Sequence, residues 1–290
     1  MTRKVICDVD NTMGLPGKPV DDGQALLYLF GRSDVALMGI TTVFGNGTID
    51  EVHTATEGLL RDIGQEVPLH RGASEAGKGA TEACRYLVEA AAAHPGETTL
   101  LALGPLTNLK AAADEDPSFF DNLEQVVIMG GYLAPLEVPG WEGVGELNLS
   151  LDPEAAHAVL RGSCSVTLMT AEVCLHAPFG LRDLAFIEQY DRTKTYAMLR
   201  DYLFRRVREG HAPSEYLWDL LPAVYVSFPQ LFDENRSWIS STVTDLTSGT
   251  IVCGDEGEGA LVNMPTRIGD VDQFYAILHD AWAREVLSRR

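Results

Sequence analysis

An α/β fold with an open, mostly parallel central sheet flanked by helices is predicted by three features of the sequence. Short, continuously apolar runs alternate with longer stretches that have helical, amphipathic spacing. Continuous apolar runs are typical of parallel strands, because helices cover both faces of such a sheet. Strands that alternate with helices indicate βαβ units. Several apolar runs end in polar or glycine residues, and ligands bind at strand ends in folds of this class.

The predicted elements follow one another in this alternating order. Strands are predicted at residues 5–7, 35–43, 98–103, 126–129 and 165–170. Helices are predicted at residues 24–30, 51–63 and 153–160, and a further helix opens at 104–108. Residues 177–227 are expected to be mostly helical, 242–262 to contain strands broken by glycine, and 271–288 to form a final helix. No repeat or linker divides the chain, so residues 1–290 are expected to form a single domain.

The charge and the cysteine content exclude several classes of protein. The net charge of −20 argues against binding to nucleic acid, which needs a basic surface, and against docking on an anionic membrane. The first apolar run stops at Asp8, so it is far too short for a signal peptide or a membrane span. The 5 cysteines are scattered and form no CxxC motif, which argues against disulfides and a zinc site. We therefore expect a cytoplasmic protein.

Four aspartates stand close together near the N-terminus. Asp8 and Asp10 follow the first predicted strand, and Asp21 and Asp22 precede the first predicted helix. Carboxylates grouped in this way repel one another, and their pKa values rise unless a cation compensates them. Calcium binds several oxygen ligands and suits such a group. A simpler interpretation of Asp21 and Asp22 is that acidic residues favour a helix N-terminus, but this explains Asp8 and Asp10 poorly.

The segment at residues 8–12, DVDNT, permits two interpretations. It resembles the DxDxT motif of the haloacid-dehalogenase phosphatases, in which Asp8 would be a nucleophile and Asp10 an acid. That family also needs a later acidic motif that holds magnesium. The Gly-Asp pairs at 254–255 and 269–270 lack the second aspartate at the required spacing. The phosphatase is therefore the less favoured alternative.

The favoured interpretation is a resemblance that runs along nearly the whole chain. The inosine–uridine-preferring nucleoside hydrolases open with DxDxxxDD, which is similar to the four aspartates here with an insertion within residues 12–20. Further motifs of that family follow in the family's order. They are GITTVFGN at 39–46, GPLTN at 104–108, MGG at 129–131, ELN and DPEAA within 146–156, and WD at 218–219. Each motif alone is weak evidence, but their common order is strong.

The resemblance implies a nucleoside hydrolase-like fold and calcium-dependent hydrolysis of the N-glycosidic bond of a ribonucleoside. By this resemblance, Asp10 is the general base that activates a water, and Asp8 orients the acidic cluster. The residues that correspond to the family's calcium ligands are Asp10, Asp22, Asp219 and, through its backbone carbonyl, Leu103. The residues that correspond to the family's ribose ligands are Asp21, Asn46, Glu146 and Asn148.

Recognition of the base is where the sequence departs from the family. The late His-Asp pair of the inosine–uridine type, whose histidine protonates the leaving base, is Trp218-Asp219 here. An indole N–H cannot act as that acid, but the ring can stack on a base. We therefore predict that Trp218 contributes to catalysis by stacking and that purine nucleosides are preferred. Trp141, in a glycine-rich loop, is the predicted second stacking face.

Two alternatives to a nucleoside hydrolase stay open within the same family. One is a hydrolase of another N- or C-riboside in specialised metabolism, and the other is a non-catalytic ribose-binding relative. The retained aspartates argue against the second, because a binding module does not need a general base. The resemblance also implies a homodimer or homotetramer that binds a small nucleoside, without a nucleic-acid or membrane partner.

Overall fold

A sheet of eight strands forms the centre of the structure, a computed structural model that describes residues 2–134, 136, 145–190, 194–208 and 214–287. The strands are β1 (Arg3–Val9), β2 (Val35–Thr42), β3 (Leu69–Arg71), β4 (Thr98–Ala102), β5 (Leu123–Met129), β6 (Ser165–Met169), β7 (Pro178–Gly180), β8 (Ser214–Tyr216), β9 (Arg236–Ile239) and β10 (Ala260–Asn263). The helices are α1 (Asp21–Phe30), α2 (Ile49–Ile63), α3 (Glu82–Ala93), α4 (Thr107–Glu115), α5 (Pro153–Val159), α6 (Ala171–Cys174), α7 (Leu181–Ile187), α8 (Lys194–Arg208), α9 (Leu220–Ser227), α10 (Val243–Leu246) and α11 (Val271–Leu287).

The sheet has the strand order β3-β2-β1-β4-β5-β6-β10-β9. Its neighbouring strands are parallel except for β10 and β9, which are antiparallel. The strands β7 and β8 form a separate antiparallel pair. The prediction of an α/β fold with an open, mostly parallel sheet is therefore confirmed. The prediction that residues 1–290 form one domain is not tested by this topology and stays a prediction.

The winding of the sheet reverses at β1. The chain adds β2 and β3 on one side of β1 and then returns to add β4, β5 and β6 on the other side. In folds of this kind a crevice opens beyond the carboxyl ends of the strands where the order reverses, and ligands bind there. This topology predicts a ligand site near the residues that follow β1 and β4.

Helices cover both faces of β1, which explains its continuous apolar run. Val5, Cys7 and Val9 point to a core cluster that includes α1, α9 and α11, whereas Ile6 belongs to a second cluster with α3, α4 and α5. The largest fully buried side chain, Trp282 of α11, donates a hydrogen bond to the carbonyl of Gln24 in α1. The two faces of the sheet are thus closed by different sets of helices.

Some elements differ from the sequence prediction. The strand β3 and the helix α3 were not predicted. All three residues of β3 are only half-buried, and the inward positions of α3 include small alanines, so neither segment has a strong apolar pattern. The helix α1 begins at Asp21 rather than at residue 24, which places Asp21 and Asp22 in its first turn. No helix among the described residues is long and apolar enough to span a membrane.

Close packing of α1 against α11 gives a test of this core. A Cβ atom at Gly31, the residue that directly follows α1, would lie 1.9 Å from the carbonyl oxygen of Ala281. At Gly58, within α2, a Cβ atom would meet nothing within 4 Å. We expect Gly31→Ala to lower the free energy of unfolding by about 1–3 kcal/mol, the usual cost of overpacking. We expect Gly58→Ala to raise it by up to about 1 kcal/mol, because alanine favours the helix.

Urea denaturation of the two variants and the unchanged protein measures both effects. Equal stability of the Gly31→Ala variant and the unchanged protein would contradict the close approach of α1 and α11.

Candidate active site

Polar groups gather at the carboxyl ends of four strands. Asp8 lies near the end of β1, and Asp10 directly follows that strand. Asn46 lies in the loop between β2 and α2, Leu103 directly follows β4, and β5 ends at Met129. Because these strands are parallel neighbours, their carboxyl ends meet at the same edge of the sheet. The structure therefore brings the residues from separate motifs together.

Asp8 is completely buried and is held by hydrogen bonds from neighbouring segments. Its Oδ1 accepts hydrogen bonds from the Thr41 hydroxyl and, at 2.8 Å, from the Asn108 side-chain amide. Asn108 also donates to the carbonyl of Thr42 and accepts from the N–H of Ala73. Burial raises the pKa of Asp8 to about 7, although both side-chain hydrogen bonds lower it. This setting fits an orienting role for Asp8.

Both oxygens of Asp10 accept hydrogen bonds from Asn46. The backbone N–H of Asn46 donates to Oδ2 at 2.7 Å, and its side-chain amide donates to Oδ1 at 3.1 Å. The backbone N–H of Asp10 donates to Oδ1 of Asp22 at 3.1 Å. Burial raises the pKa of Asp10 to about 7, the hydrogen bond from the Asn46 backbone lowers it, and the charge of Asp21 raises it. Asn46 therefore positions the predicted general base, whereas its predicted contact with ribose stays a prediction.

Asp21, Asp22 and Asp219 each bring a carboxylate oxygen within 4.8 Å of the others. Asp22 and Asp219 are buried, and Oδ2 of Asp22 has no hydrogen-bond partner among the described residues. Burial raises the pKa of Asp22 well above its usual value, and the charges of Asp219 and Asp10 raise it further. Burial, followed by the charge of Asp21, likewise raises the pKa of Asp219. The structure therefore places two predicted calcium ligands, Asp22 and Asp219, close to Asp21, which was predicted to bind ribose.

Leu103 lines a cavity that Asp21 and Asp219 also line. Its backbone carbonyl is the predicted fourth calcium ligand. It accepts a hydrogen bond of 2.8 Å from the side-chain amide of Asn148, which also donates to the carbonyl of Met129. A carbonyl oxygen has two lone pairs, so one stays available to a cation. The buried, oxygen-only group of ligands and the unpartnered oxygen of Asp22 therefore fit a hard divalent ion such as calcium.

Glu146 has a structural role that the sequence analysis missed. Its carboxylate accepts the N–H groups of Leu149 at 2.9 Å, Ser150 at 2.8 Å and Gly131 at 3.2 Å. Burial raises the pKa of Glu146, and these hydrogen bonds lower it. The side chain therefore fixes the turn that carries Asn148 against the end of β5. Glu146 also lines the cavity, and its predicted contact with ribose stays a prediction.

A cavity of about 240 Å³ opens beside the acidic group. Its polar lining residues are Asp21, Asn46, Glu146, Asn148 and Asp219. Its apolar and aromatic lining residues include Leu103, Met129, Tyr132, Leu136, Leu147, Ala171 and Trp218. A cavity lined by both kinds of residue suits a ligand that has a hydroxylated part and a flat, less polar part.

The aromatic residues that line the cavity are only partly those that were predicted. Trp218 is half-buried, and the centroid of its ring lies 5.3 Å from that of Tyr216 at an angle of 54°. Tyr132 also lines the cavity. Tyr132 was not among the predicted site residues, although its place directly after the MGG motif was a signal. Trp141 lies outside the described residues, so its stacking role stays a prediction.

Comparisons with known proteins identify one family along most of the chain. The family model for the inosine-uridine preferring nucleoside hydrolases matches residues 5–276. An inosine-uridine preferring nucleoside hydrolase of Leishmania major is 31% identical in an alignment that covers 98% of both chains. Uridine nucleosidase 1 of Arabidopsis thaliana is 30% identical over 79% of this chain and 75% of its own. The family model that matches is therefore that of the nucleoside hydrolases and not that of the haloacid-dehalogenase phosphatases.

Solved structures share the fold at lower sequence identity. A purine-preferring ribonucleoside hydrolase from Gardnerella vaginalis gives a TM-score of 0.83 at 19% identity and covers 98% of this chain and 100% of its own. A plant nucleoside hydrolase gives a TM-score of 0.80 at 21% identity, with coverage of 97% and 99%. Because the family model matches the chain along most of its length, the chain belongs to the inosine-uridine preferring nucleoside hydrolases.

Proposed function

We propose that this nucleoside hydrolase depends on calcium, uses Asp10 as its general base and prefers purine ribonucleosides. Membership of the family makes the enzyme an N-ribohydrolase, which cleaves the N-glycosidic bond of a ribonucleoside. One observation carries the proposal. Acidic side chains and aromatic side chains line the same cavity, so the sugar and the base of a nucleoside each have suitable groups to contact.

The proposed calcium ligands are Asp10, Asp22, Asp219 and the carbonyl of Leu103. The support is that Asp22 and Asp219 are brought together, that one oxygen of Asp22 has no partner among the described residues, and that the Leu103 carbonyl keeps a lone pair. When bound, the ion supplies a Lewis acid that lowers the pKa of water and a positive charge for the ribose hydroxyls. Asp21 lies close enough to Asp22 and Asp219 to serve either the ion or the ribose.

The side chains of this protein have separate roles in the proposed reaction. Asp10 takes a proton from the attacking water, because each of its oxygens keeps a lone pair beside the hydrogen bond from Asn46. Asp21 and Asn148, whose polar side chains line the cavity, bind ribose hydroxyls. Positive charge develops on the sugar as the base leaves, and Asp21 and Asp219 face that charge from the cavity wall.

Replacing the proposed base tests the reaction directly. We expect Asp10→Asn to lower kcat for nucleoside hydrolysis by about 10²–10⁴-fold, because general base catalysis contributes that much in enzymes. Release of ribose as a reducing sugar from a panel of nucleosides measures the rate. Asp255→Asn, at an exposed position outside the cavity, is the matched control and should keep the rate of the unchanged protein.

Two outcomes would count against this proposal. A rate in Asp10→Asn equal to that of the control would remove Asp10 from the mechanism. Absence of ribose release from every nucleoside by the unchanged protein would point to another riboside as the substrate.

The proposed preference for purines rests on Trp218. Relatives of this chain carry names that include uridine, inosine–uridine and purine, so family membership alone does not select the base. Trp218 lines the cavity at the position where the inosine–uridine type has a histidine. An indole ring offers a flat surface for stacking and no acid for the leaving base. Since a purine has a larger face than a pyrimidine, stacking favours the purine.

The ratio of kcat/KM for inosine to that for uridine tests this preference. We expect the unchanged protein to favour inosine, and Trp218→Ala to lose about tenfold or more on inosine, because stacking of a base on an aromatic ring contributes about 1–3 kcal/mol. Trp218→Phe, which keeps a flat ring, should retain most of the activity. A preference for uridine, or full inosine turnover in Trp218→Ala, would show that the stacking proposal is wrong.

A second candidate is the hydrolysis of another N- or C-riboside. The Trp218-Asp219 pair favours it, because a leaving group other than a common base need not be protonated by a histidine. Substrates of this kind belong in the same reducing-sugar panel. The expected homodimer or homotetramer and the expected cytoplasmic location stay predictions.

A further inference from the structure

The insertion between Asp10 and Asp21 lies across the loop that carries Asn46. The side-chain amine of Lys18, within this insertion, donates a hydrogen bond of 2.6 Å to the backbone carbonyl of Asn46. A Cβ atom at Gly47 would lie 3.2 Å from the Thr12 methyl group, so the two loops are also in close contact there. The DxDxxxDD motif that the four aspartates resemble is shorter than this segment. The contact with Asn46 therefore comes from residues outside that motif.

Hydrogen bonds within the insertion stabilise its conformation. The Thr12 hydroxyl donates to the carbonyl of Pro19 at 3.2 Å, and the N–H of Leu15 donates to the carbonyl of Thr12 at 3.0 Å. Met13 is buried, with its sulfur so near Gly23 of α1 that a Cβ atom there would lie 2.3 Å away. The backbone that carries Lys18 is thus anchored at several points.

Glycines flank Asn46, so hydrogen bonds have to fix the conformation of its loop, as the bond from the N–H of Gly45 to the carbonyl of Gly47 does in part. Gly45 has a φ angle of 156°, and Gly47 follows, so the backbone on both sides of Asn46 has more freedom than other residues allow. Asn46 nevertheless has to present two donors, its N–H and its side-chain amide, to the two oxygens of Asp10. The hydrogen bond from Lys18 fixes the carbonyl of the same residue. A charged donor makes this a stronger restraint than a neutral one.

We infer that Lys18 is a positioning residue, which fixes the loop at Asn46 and through it the carboxylate of Asp10. The inference rests on the proposed function only for its effect on turnover, because the restraint itself is a property of the free protein. It also gives the insertion a role. The amine of Lys18 is bonded to the carbonyl of Asn46, and Lys18 does not line the cavity, so its loss should affect the reaction step more than binding.

Amide hydrogen exchange of the free protein tests the restraint without any substrate. We expect Lys18→Met to increase exchange in the peptide that covers residues 44–48 by about tenfold, because local opening exposes the N–H of Asn46. Lys18→Arg, which keeps a charged donor, should restore much of the protection. Lys78→Met removes an exposed lysine outside the cavity and should leave the exchange unchanged. Unchanged exchange in Lys18→Met would overturn the inference.

Kinetics with the best nucleoside of the panel separate positioning from substrate contact. We expect Lys18→Met to lower kcat by about tenfold with little change in KM, because the loss then lies in the transition state. In an Asn46→Ala background the same substitution should have a smaller effect, because the two residues act in series. A rise in KM with kcat unchanged, or full additivity of the two substitutions, would contradict the positioning role.

These results stay distinct from the outcome for the proposed function. If the unchanged protein releases no ribose, the proposed function fails, and the exchange experiment still decides whether Lys18 restrains Asn46. If Lys18→Met does not fold, Lys18→Gln, which keeps a polar side chain, takes its place in both experiments. An increase in exchange that Lys18→Arg does not reverse would contradict the role of the charged donor.

Discussion

Repulsion among buried carboxylates is the constraint on which the rest of this structure depends. Asp8, Asp10, Asp22 and Asp219 are withdrawn from water at one edge of the sheet, where loss of hydration favours their neutral forms. Amide and hydroxyl donors relieve part of this cost. Asn108 and Thr41 donate to Asp8, and Asn46 donates to both oxygens of Asp10. Such donors stabilise the charged forms and orient the side chains.

Hydrogen bonds within the protein satisfy only part of this group. Within the described part of the chain, one oxygen of Asp22, like one oxygen of Asp8, has no hydrogen-bond partner. Burial raises the pKa values of Asp22 and Asp219 well above their usual value, and the charge of Asp219 on Asp22 and those of Asp21 and Asp10 on Asp219 raise them further. Their repulsion is costly unless a cation stands between them. The fold accepts this cost at the point where its strand order reverses, which is also where the cavity opens. We therefore regard the proposed calcium ion as part of the folded structure as well as part of the reaction.

Much of this arrangement could be predicted from the sequence. The apolar runs located β1, β2, β4, β5 and β6, and the polar residues at their ends predicted a shared crevice. Other features have no local signal. The strand β3 was missed because its three residues are only half-buried, and its place is fixed by pairing with β2. The bonds from Asn108 to Asp8 and from Lys18 to Asn46 join residues far apart in sequence, so only the fold shows them. The role of Glu146 in holding a turn likewise depends on the approach of Gly131.

The dependence of folding stability on calcium tests the central claim most directly. Urea unfolding at fixed pH, repeated over a series of free calcium concentrations, gives the free energy of unfolding at each one. Above the dissociation constant, we predict that this free energy rises by about 1.4 kcal/mol for each tenfold increase in calcium, as expected for an ion that binds only the folded state. Asp22→Asn should lose this dependence, and Asp255→Asn should keep it. A free energy of unfolding that does not respond to calcium in the unchanged protein would contradict the account.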